Sequence, residues 1–576
     1  MTFMENYQKW LSDPYFDEKT KEELKSLAGN EKEIEDRFYK NLEFGTGGLR
    51  GVLGAGSNRM NIYTVRQATQ GLANYIIKHG GNEGIGIAVA HDSRRMSREF
   101  ALETALVCCA NGIPAYIFPS LRPTPMLSFA VRNLGCIAGV VITASHNPAE
   151  YNGYKAYWAD GGQIPFPRDE EIIKEVALIT SFSQVKTMSE DEAKEKGLLK
   201  IISHEVDDAF VENVKAQIVN PEIITRNEDL KIVYTPLHGA GNRPVRRVLS
   251  ELGFKKVYVV PEQEFPDPNF TTVSYPNPED FKVFELAIKL AAEIDADIIA
   301  ATDPDCDRVG IVVRDSQGNY SVLTGNMTGA LLCNYVLSQR HEKGIMPEKA
   351  AVVSTIVSTD ITKEITKKFG VKYYEVLTGF KYIGEKIKEF ENTGENFVFG
   401  FEESYGCLAG TYARDKDAVV ATALICEMTA YYKEKGMTLY DALQEMYKEY
   451  GYYKESIQSI TLKGKDGAEQ IKKIMSNLRL NPPKCIGGAV VSEIRDYTTD
   501  TVKNIISGKT SDTGLPASNV LYYELSDGSW FCVRPSGTEP KIKVYFGTKG
   551  DSAANADEKL KSVIAGVMEE FNNANS

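Results

Sequence analysis

Short apolar runs of five to eight residues recur along this chain, and each stops at a polar loop before a helical pattern begins. The runs include IGIAVA (85–90) before HDSRR, CIAGVVIT (136–143) before ASHNP and KIVYTP (231–236) before LHGAG. Later come ADIIAAT (296–302) before DPDCDR and FVFGF (397–401) before EESYG. Strands covered on both faces read as continuous apolar segments, and their alternation with helices marks an α/β fold. In open sheets of this kind ligands gather at the carboxyl ends of the strands, so these loops are where chemistry is expected.

The loops beginning near 145, 303 and 402 lie too far apart for a single βαβ unit, which suggests one loop per domain. A length of 576 residues agrees, at roughly 100 to 200 residues per domain. The last 120 residues differ: strands IQSITL and VLYYEL, a strand running into CVRPSGTEP, a strand KIKVYFG and a closing helix. In that helix Leu560, Val563, Ile564, Val567, Met568 and Phe571 share one stripe. The expected architecture is therefore three α/β domains with mixed sheets around a central cleft, plus a C-terminal α+β domain. The boundaries fall near 205, 325 and 458, giving domains 1–205, 206–325, 326–458 and 459–576. SEDEAKEKG (189–197) reads as a solvated helix.

Composition narrows the function. Lys and Arg total 66 against 79 Asp and Glu, a net charge of −13, which repels nucleic acid and anionic lipid. A small anionic substrate stays compatible, because a few cations in one cleft dominate the local field. The nine cysteines are scattered without a CxxC, which is cytosolic usage. The start of the chain lacks a basic segment followed by an apolar one, and nowhere do 18 consecutive apolar residues occur, so a cytoplasmic protein with no membrane span is expected.

Asp303, Asp305 and Asp307 alternate in ATDPDCDR directly after a strand; on an extended loop, i, i+2 and i+4 point one way and make one carboxylate cluster. Three hard oxygen donors suit Mg²⁺, and no His or Cys pattern supports zinc. An EF-hand loop needs Gly and Glu where Arg308 and Arg314 stand. The alternative is a solvated acidic turn. Arg308 either neutralises part of the cluster or grips a phosphate.

In TASHNPAEYNGYKAY, Ser145 lies between an apolar strand and a Pro-Asn-Gly loop, with His146 beside it and Lys155 ten residues on. A serine hydroxyl acts through a base or as a phosphate carrier next to a metal; the remaining alternative is an ST-turn or helix cap. Thr143 and Asn147 exclude the GxSxG elbow. RPSGTEPK (534–541) groups Arg534, Ser536, Thr538 and Lys541 around Gly537, either a phosphate cradle or a plain glycine turn. GFEESYG (400–406) offers donors and acceptors suited to sugar hydroxyls, flanked by TGFK (378–381) and ARDKDA (413–418), which add Lys381, Arg414 and Lys416. SGKT (507–510) has Lys503 in place of the Walker glycine, and GAGNRP (239–244) ends in Pro244, so no nucleotide site is expected. His91 and His238 follow strands and read as cap or core residues.

TASHNP, DPDCDR, GFEESYG and RPSGTEP, in this order and at these separations, resemble the four signature loops of the α-D-phosphohexomutase superfamily, and FGTGGLRG (44–51) fits its N-terminal motif. The resemblance implies that Ser145 carries a phosphoryl group and completes the shell of one Mg²⁺ held by Asp303, Asp305 and Asp307. Glu402 and Ser404 would hold sugar hydroxyls, and Arg534, Ser536, Gly537 and Thr538, with Lys541, the phosphate that is not transferred. Arg50, His146 and Lys155 match positions near the phosphoserine; Thr378, Gly379, Lys381, Arg308 and Arg414 would line the substrate site. Tyr405, Gly406 and Cys407 follow Ser404, without the histidine usual in phosphomannomutase versions, which makes Lys416 the candidate acid/base and resembles phosphoglucomutase-type loops. The implied activity interconverts glucose 1-phosphate and glucose 6-phosphate through glucose 1,6-bisphosphate, also the activator, in a monomer or weak dimer. Alternatives are a phosphomannomutase or phosphopentomutase of the same mechanism, a sugar-bisphosphate synthase, and an inactive sugar-phosphate sensor.

Overall fold

The computed structural model describes residues 2–43, 45, 48–79, 86–315, 317–461, 464–535 and 541–575. The chain packs as two compact units, one of residues 1–324, 380–399 and 404–438, the other of residues 325–379, 400–403 and 439–576.

The first unit opens with three short helices, Phe3–Ser12, Glu18–Ser26 and Glu31–Phe38. Thr2 and Glu5 start the first with a reciprocal capping box, which satisfies two of the free N–H groups of a helix start. The helices bury Trp10, which stacks on Phe16 at 4.1 Å between centroids and meets Tyr63 and Phe182 edge-on at 5.6 and 5.5 Å.

A six-stranded sheet follows, made of β1 (Gly48–Val52), β2 (Ile87–His91), β3 (Ala115–Ile117), β4 (Ala138–Ile142), β5 (Tyr151–Trp158) and β6 (Leu199–Ile201), in the order β1-β5-β4-β2-β3-β6. The strands β2, β3, β4 and β6 run parallel, whereas β5 is antiparallel to both β4 and β1. Every residue of β2 and β4 is buried, which is why these two read as unbroken apolar runs. A second sheet holds β7 (Lys231–Thr235), β8 (Lys256–Val259), β9 (Ile298–Thr302), β10 (Val309–Arg314) and β11 (Tyr320–Leu323), ordered β11-β10-β9-β7-β8. Here β7, β8 and β9 are parallel, and β10 turns back antiparallel on β9.

This topology corrects part of the sequence reading. Loops after β2 and β7 do lead into helices, Ser97–Ala110 and Asn242–Leu252. Those after β4 and β9 lead instead into antiparallel strands, because a connection of a few residues closes a hairpin but is too short for a crossover helix. The last of the runs, FVFGF, forms β14, described below, and its loop also leads to a strand.

In the second unit β12 (Ala350–Thr355) and β13 (Lys372–Val376) are parallel and joined through helix Ile361–Lys368. The strands β14 (Asn396–Phe401) and β15 (Cys407–Ala409) flank the turn at 402–406; of this stretch residues 400–403 belong to the second unit and the rest to the first. The C-terminal sheet is antiparallel: β16 (Tyr452–Thr461), β17 (Cys485–Ile486), β18 (Ala489–Asp496), β19 (Thr501–Asn504), β20 (Thr510–Ser511), β21 (Leu521–Leu525), β22 (Trp530–Pro535) and β23 (Lys541–Gly550). Its main path is β16-β23-β22-β21-β18-β19-β20, with β17 paired to β18. The final helix, Ala553–Asn575, buries Val563, Val567 and Phe571 against Ile542, Val544 and Phe546, the stripe expected from the sequence. The SEDEAKEKG segment forms the helix Glu190–Glu195, of which only Ala193 is buried.

All nine cysteines are free, and eight of them are buried. Among the described residues no helix is long and apolar enough to cross a membrane.

Trp10→Ala removes the ring at the centre of the N-terminal aromatic cluster. A large-to-small change at a site 2% exposed costs about 3 to 5 kcal/mol. Residues 3–38 are expected to lose hydrogen-exchange protection and become sensitive to limited proteolysis, while β2 and β4 keep theirs.

Candidate active site

Ser145 lies in the hairpin connection between β4 and β5, whose register puts Val141 opposite Lys155 and Ile142 opposite Tyr154. The tight reversal places Ser145 at φ +52°, in the left-handed region that crowds a side chain. Its N–H donates to Thr143 Oγ1 at 2.8 Å. The buried hydroxyl donates to Asp303 Oδ2 at 2.8 Å and lies 3.2 Å from His146 Nδ1.

The three aspartates occupy the connection between β9 and β10, where Thr302 opposes Val309. The sequence reading took this loop as extended; it is a tight turn, with Cys306 at φ +54° and its N–H donating to Asp303 O at 2.9 Å. The carboxylates still converge, because Asp303 Oδ1 accepts the N–H groups of Asp307 and Arg308, both at 3.1 Å, and so folds the turn around itself. One oxygen from each aspartate lies within 4.8 Å of the others, and all three residues are buried.

Other elements fix the turn from outside. Thr124, at the start of helix Thr124–Asn133, donates its N–H to Asp305 O (2.9 Å) and its hydroxyl to Asp305 Oδ2 (2.8 Å). Gly239, in the loop after β7, packs so closely that a Cβ there would sit 2.5 Å from Pro304 Cα. Lys155, projecting from β5, brings Nζ to 2.7 Å from Asp305 Oδ2 and 3.2 Å from Asp307 Oδ2. Lys416 Nζ lies 3.0 Å from Asp307 Oδ2 and 3.4 Å from Asp415 Oδ1. Asp415 is in turn held by Tyr157 Oη at 2.7 Å and Gln163 Nε2 at 2.9 Å. Arg308 Nε stands 3.8 Å from Asp307 Oδ1, and its guanidinium also pairs with Glu279 at 2.8 Å.

Burial sets the protonation of this cluster. It pushes the Asp303 carboxyl well above the usual carboxylate range, and the like charges of Asp305 and Asp307 add to the effect. Burial and Asp307 push Asp305 up as well, but Lys155 and the hydrogen bonds from Lys155 and Thr124 outweigh them and hold it below its ordinary value. Asp307 is also held low, burial being outweighed by Lys155, Lys416 and Arg308. Lys155 is raised, because Asp305 and Asp307 overcome the cost of burying it. Burial, reinforced by the cations Arg308 and Arg50, keeps His146 well below its ordinary value, so the imidazole beside Ser145 is neutral near pH 7.

The donor set fits a divalent cation. Asp305 Oδ1 and Asp307 Oδ1 are buried without a hydrogen-bond partner among the described residues, which is costly unless something positive satisfies them. The cluster offers only hard oxygens, the ligands of a small divalent cation.

The remaining candidates separate clearly. Arg50, exposed on β1 opposite Gly153, donates to Asn147 Oδ1 at 3.2 Å and so reaches the serine loop. Ser404 is half-buried in a turn whose next residue, Tyr405, sits at φ +68° and accepts the Val309 N–H at 3.1 Å. Lys381 faces Asp169 at 4.0 Å. Arg414 is committed to Glu391 and to the carbonyls of Thr411 and Ala413, while its N–H donates to Ser128 Oγ at 2.8 Å; these contacts brace the loop that carries Lys416.

The second unit holds the others. Glu402 is buried, and Thr378 and Gly379 follow β13. Arg534 on β22 pairs with Lys543 on β23, and Lys541 opposes Thr461 on β16. Ser536, Gly537 and Thr538 lie outside the described residues, as do Phe44, Thr46 and Gly47 of the N-terminal motif.

Five contributors escaped the sequence reading. Thr124, Gly239 and Asp415 support the aspartates and Lys416 as described. Glu403 accepts from Thr355 Oγ1 at 3.0 Å, and burial holds its carboxyl above its ordinary value against that bond and the charges of Arg534 and Lys543. The fifth, Arg94, belongs to HDSRR, a strand-end loop and hence a marked position that was given no role. Asp415 stood inside ARDKDA and Glu403 inside GFEESYG; Thr124 carried no signal. His91 and His238 prove to be structural: His91 Nδ1 lies 2.8 Å from Asp92 O, and His238 contacts Phe265 O at 3.0 Å and Thr272 Oγ1 at 2.8 Å.

Comparison with known proteins agrees with this geometry. Four domain descriptions of the phosphoglucomutase/phosphomannomutase family match in order: alpha/beta/alpha domains I, II and III over residues 41–182, 208–318 and 324–450, and the C-terminal domain over 466–561. A phosphoglucomutase of Staphylococcus haemolyticus is 38% identical over 537 residues, 93% of this chain and 95% of that protein. One of Staphylococcus aureus is 36% identical over 543 residues, 94% of this chain and 96% of the relative. Among solved structures, the open form of parafusin from Paramecium has a TM-score of 0.68 at 18% identity, covering 93% of this chain and 96% of its own. A phosphoglucomutase/phosphomannomutase family protein of Burkholderia thailandensis has a TM-score of 0.64 at 19% identity, covering 92% and 97%. With all four domains matched in sequence order and more than a third of its residues shared with phosphoglucomutases along nearly the whole length, the chain belongs to the phosphoglucomutase/phosphomannomutase family.

Proposed function

We propose that this chain interconverts glucose 1-phosphate and glucose 6-phosphate, with Ser145 as the phosphoryl carrier and glucose 1,6-bisphosphate as the bound intermediate. The observation that carries the reading is the Ser145 hydroxyl, 2.8 Å from Asp303 within a buried group of three aspartates. Likeness to phosphoglucomutases over 93% of the chain supports glucose as the sugar.

In the forward direction the phosphoryl group passes from Ser145 Oγ to the 6-hydroxyl of glucose 1-phosphate: the P–Oγ bond breaks, a P–O6 bond forms and the hydroxyl proton leaves. The bisphosphate then turns end for end. Its 1-phosphoryl returns to Ser145 Oγ, the C1 oxygen takes a proton, and glucose 6-phosphate departs. Asp303, Asp305 and Asp307, with a phosphate oxygen on Ser145, would hold one Mg²⁺, which draws charge from the transferring group. Lys155 and Arg50 supply positive charge beside the serine, and neutral His146 accepts or donates a hydrogen bond without adding charge. We assign both proton transfers to Lys416, buried 3.0 Å from Asp307 and oriented by Asp415: as the neutral amine it takes the O6 proton, and as the resulting ammonium it returns that proton to the C1 oxygen. Glu402 and Ser404 take sugar hydroxyls; Arg534, Ser536, Gly537, Thr538 and Lys541 take the phosphate that stays. Thr378, Gly379, Lys381 and Arg308 are assigned to the substrate as well, whereas Arg414, expected from the sequence to line the substrate site, is committed instead to bracing the loop of Lys416. Glucose 1,6-bisphosphate, as activator, would restore any Ser145 that has lost its phosphoryl group. Free cysteines, most of them buried, support a cytoplasmic enzyme.

Conversion of glucose 1-phosphate with Mg²⁺ should be fast and primed by the bisphosphate, ahead of mannose 1-phosphate and ribose 1-phosphate. A preference for either of those would change the sugar and keep the chemistry; accumulation of bisphosphate would mark a synthase. Ser145→Ala should abolish turnover while sugar phosphate still binds by calorimetry, and full residual activity would remove the carrier role. Asp305→Asn should shift the Mg²⁺ dependence of the rate to higher concentration; an unchanged titration would refute the metal assignment. Arg534→Ala should raise KM, since a charge-assisted phosphate contact contributes about 1.5 to 3 kcal/mol, roughly a 10- to 150-fold change.

A further inference from the structure

We propose that Arg94 is a positioning residue: by holding the carbonyls of the Ser145 loop it fixes the serine in its left-handed conformation and aims the hydroxyl at the aspartates. The proposal rests on the reading of Ser145 as the phosphoryl carrier. Arg94 follows β2, and its side chain is fully buried. One terminal nitrogen donates to Ser145 O at 2.5 Å and to Asn147 O; the other donates to Pro148 O at 2.8 Å and Tyr151 O at 3.1 Å. The four terminal N–H groups of the guanidinium therefore all donate to loop carbonyls, while Nε stands in ion-pair contact 3.3 Å from Asp92 Oδ2 without a hydrogen bond among the described residues.

The fork is itself anchored. Asp92 Oδ1 accepts the Arg94 N–H at 2.9 Å and the Ser97 hydroxyl at 2.7 Å, and Asn152 Nδ2 ties Ser97 back to the start of β5 at 3.0 Å. On its far side the guanidinium lies 4.9 Å from the ring of Phe270. Ser145 is therefore held at its carbonyl by Arg94, at its N–H by Thr143 Oγ1 at 2.8 Å and at its hydroxyl by Asp303 at 2.8 Å. Freed of the first, a non-glycine residue at φ +52° relaxes toward ordinary backbone and carries its hydroxyl away. Lysine cannot substitute, because an ammonium is a point charge that does not span four carbonyls.

The test uses the full-length enzyme. Arg94→Lys and Arg94→Ala are compared with wild type for kcat, for KM toward glucose 1-phosphate, and for phosphorylation of Ser145 by glucose 1,6-bisphosphate, read by mass spectrometry. Folding is monitored by circular dichroism. A misplacement of the carrier should lower kcat about 100-fold, slow Ser145 phosphorylation in parallel and leave KM within about threefold. Millimolar guanidinium should recover about tenfold in Arg94→Ala where methylammonium recovers nothing, since only the planar fork matches the carbonyls. If both Arg94 variants fail to fold, Asp92→Asn, which keeps the guanidinium but loosens its anchor, should lower kcat about tenfold at unchanged KM. A folded Arg94→Lys or Asp92→Asn with wild-type kcat and phosphorylation rate overturns the proposal, as does a loss of activity that only tracks the folded fraction. Wild-type enzyme that takes no phosphoryl group at Ser145 overturns the functional reading itself, which separates the two failures.

Discussion

Three carboxylates buried within 4.8 Å of one another cannot all be charged without help, and much of the first unit is arranged to answer that demand. Two lysines from different parts of the chain, a threonine at a helix start and backbone N–H groups within the turn each neutralise or solvate one of the oxygens. The cost of an unpaired buried charge is far larger than the gain from one exposed pair, so such a cluster constrains its surroundings more than an equal number of surface ion pairs would. The same demand explains why Lys155 sits in β5 and Lys416 in a braced loop.

The hairpins give this arrangement its precision. A βα loop hands its residues to a helix, whereas β4–β5 and β9–β10 return at once to a neighbouring strand, so both ends of each reactive loop are fixed by a sheet ladder. Ser145 and the aspartates thus occupy short spans with little freedom, the condition under which positioning contributes most to phosphoryl transfer.

Much of this was legible in the sequence. Apolar runs marked β2, β4, β7, β9 and β14, the loops after them held Ser145, the aspartates and Glu402, and the stripe Val563, Val567, Phe571 gave the final helix its buried face. What was not legible has a common physical cause. Arg94 and Thr124 act on backbone atoms of residues far away in the chain, and a carbonyl acceptor leaves no trace in its own residue type. The strand that follows each hairpin was also missed, since a buried run gives the same apolar signal whether its successor is parallel or antiparallel. Asp303, Asp305 and Asp307 were grouped correctly for an incomplete reason: a turn, rather than an extended strand, brings them together.

The backbone at Ser145 also breaks an equivalence that organic chemistry would allow. Serine and threonine offer the same hydroxyl to a phosphoryl group, but at φ +52° the extra methyl of a β-branched residue meets its own main chain. The fold therefore discriminates between two chemically interchangeable alcohols before any substrate arrives, and in the proposed mechanism the identity of the carrier is dictated by conformation rather than by reactivity.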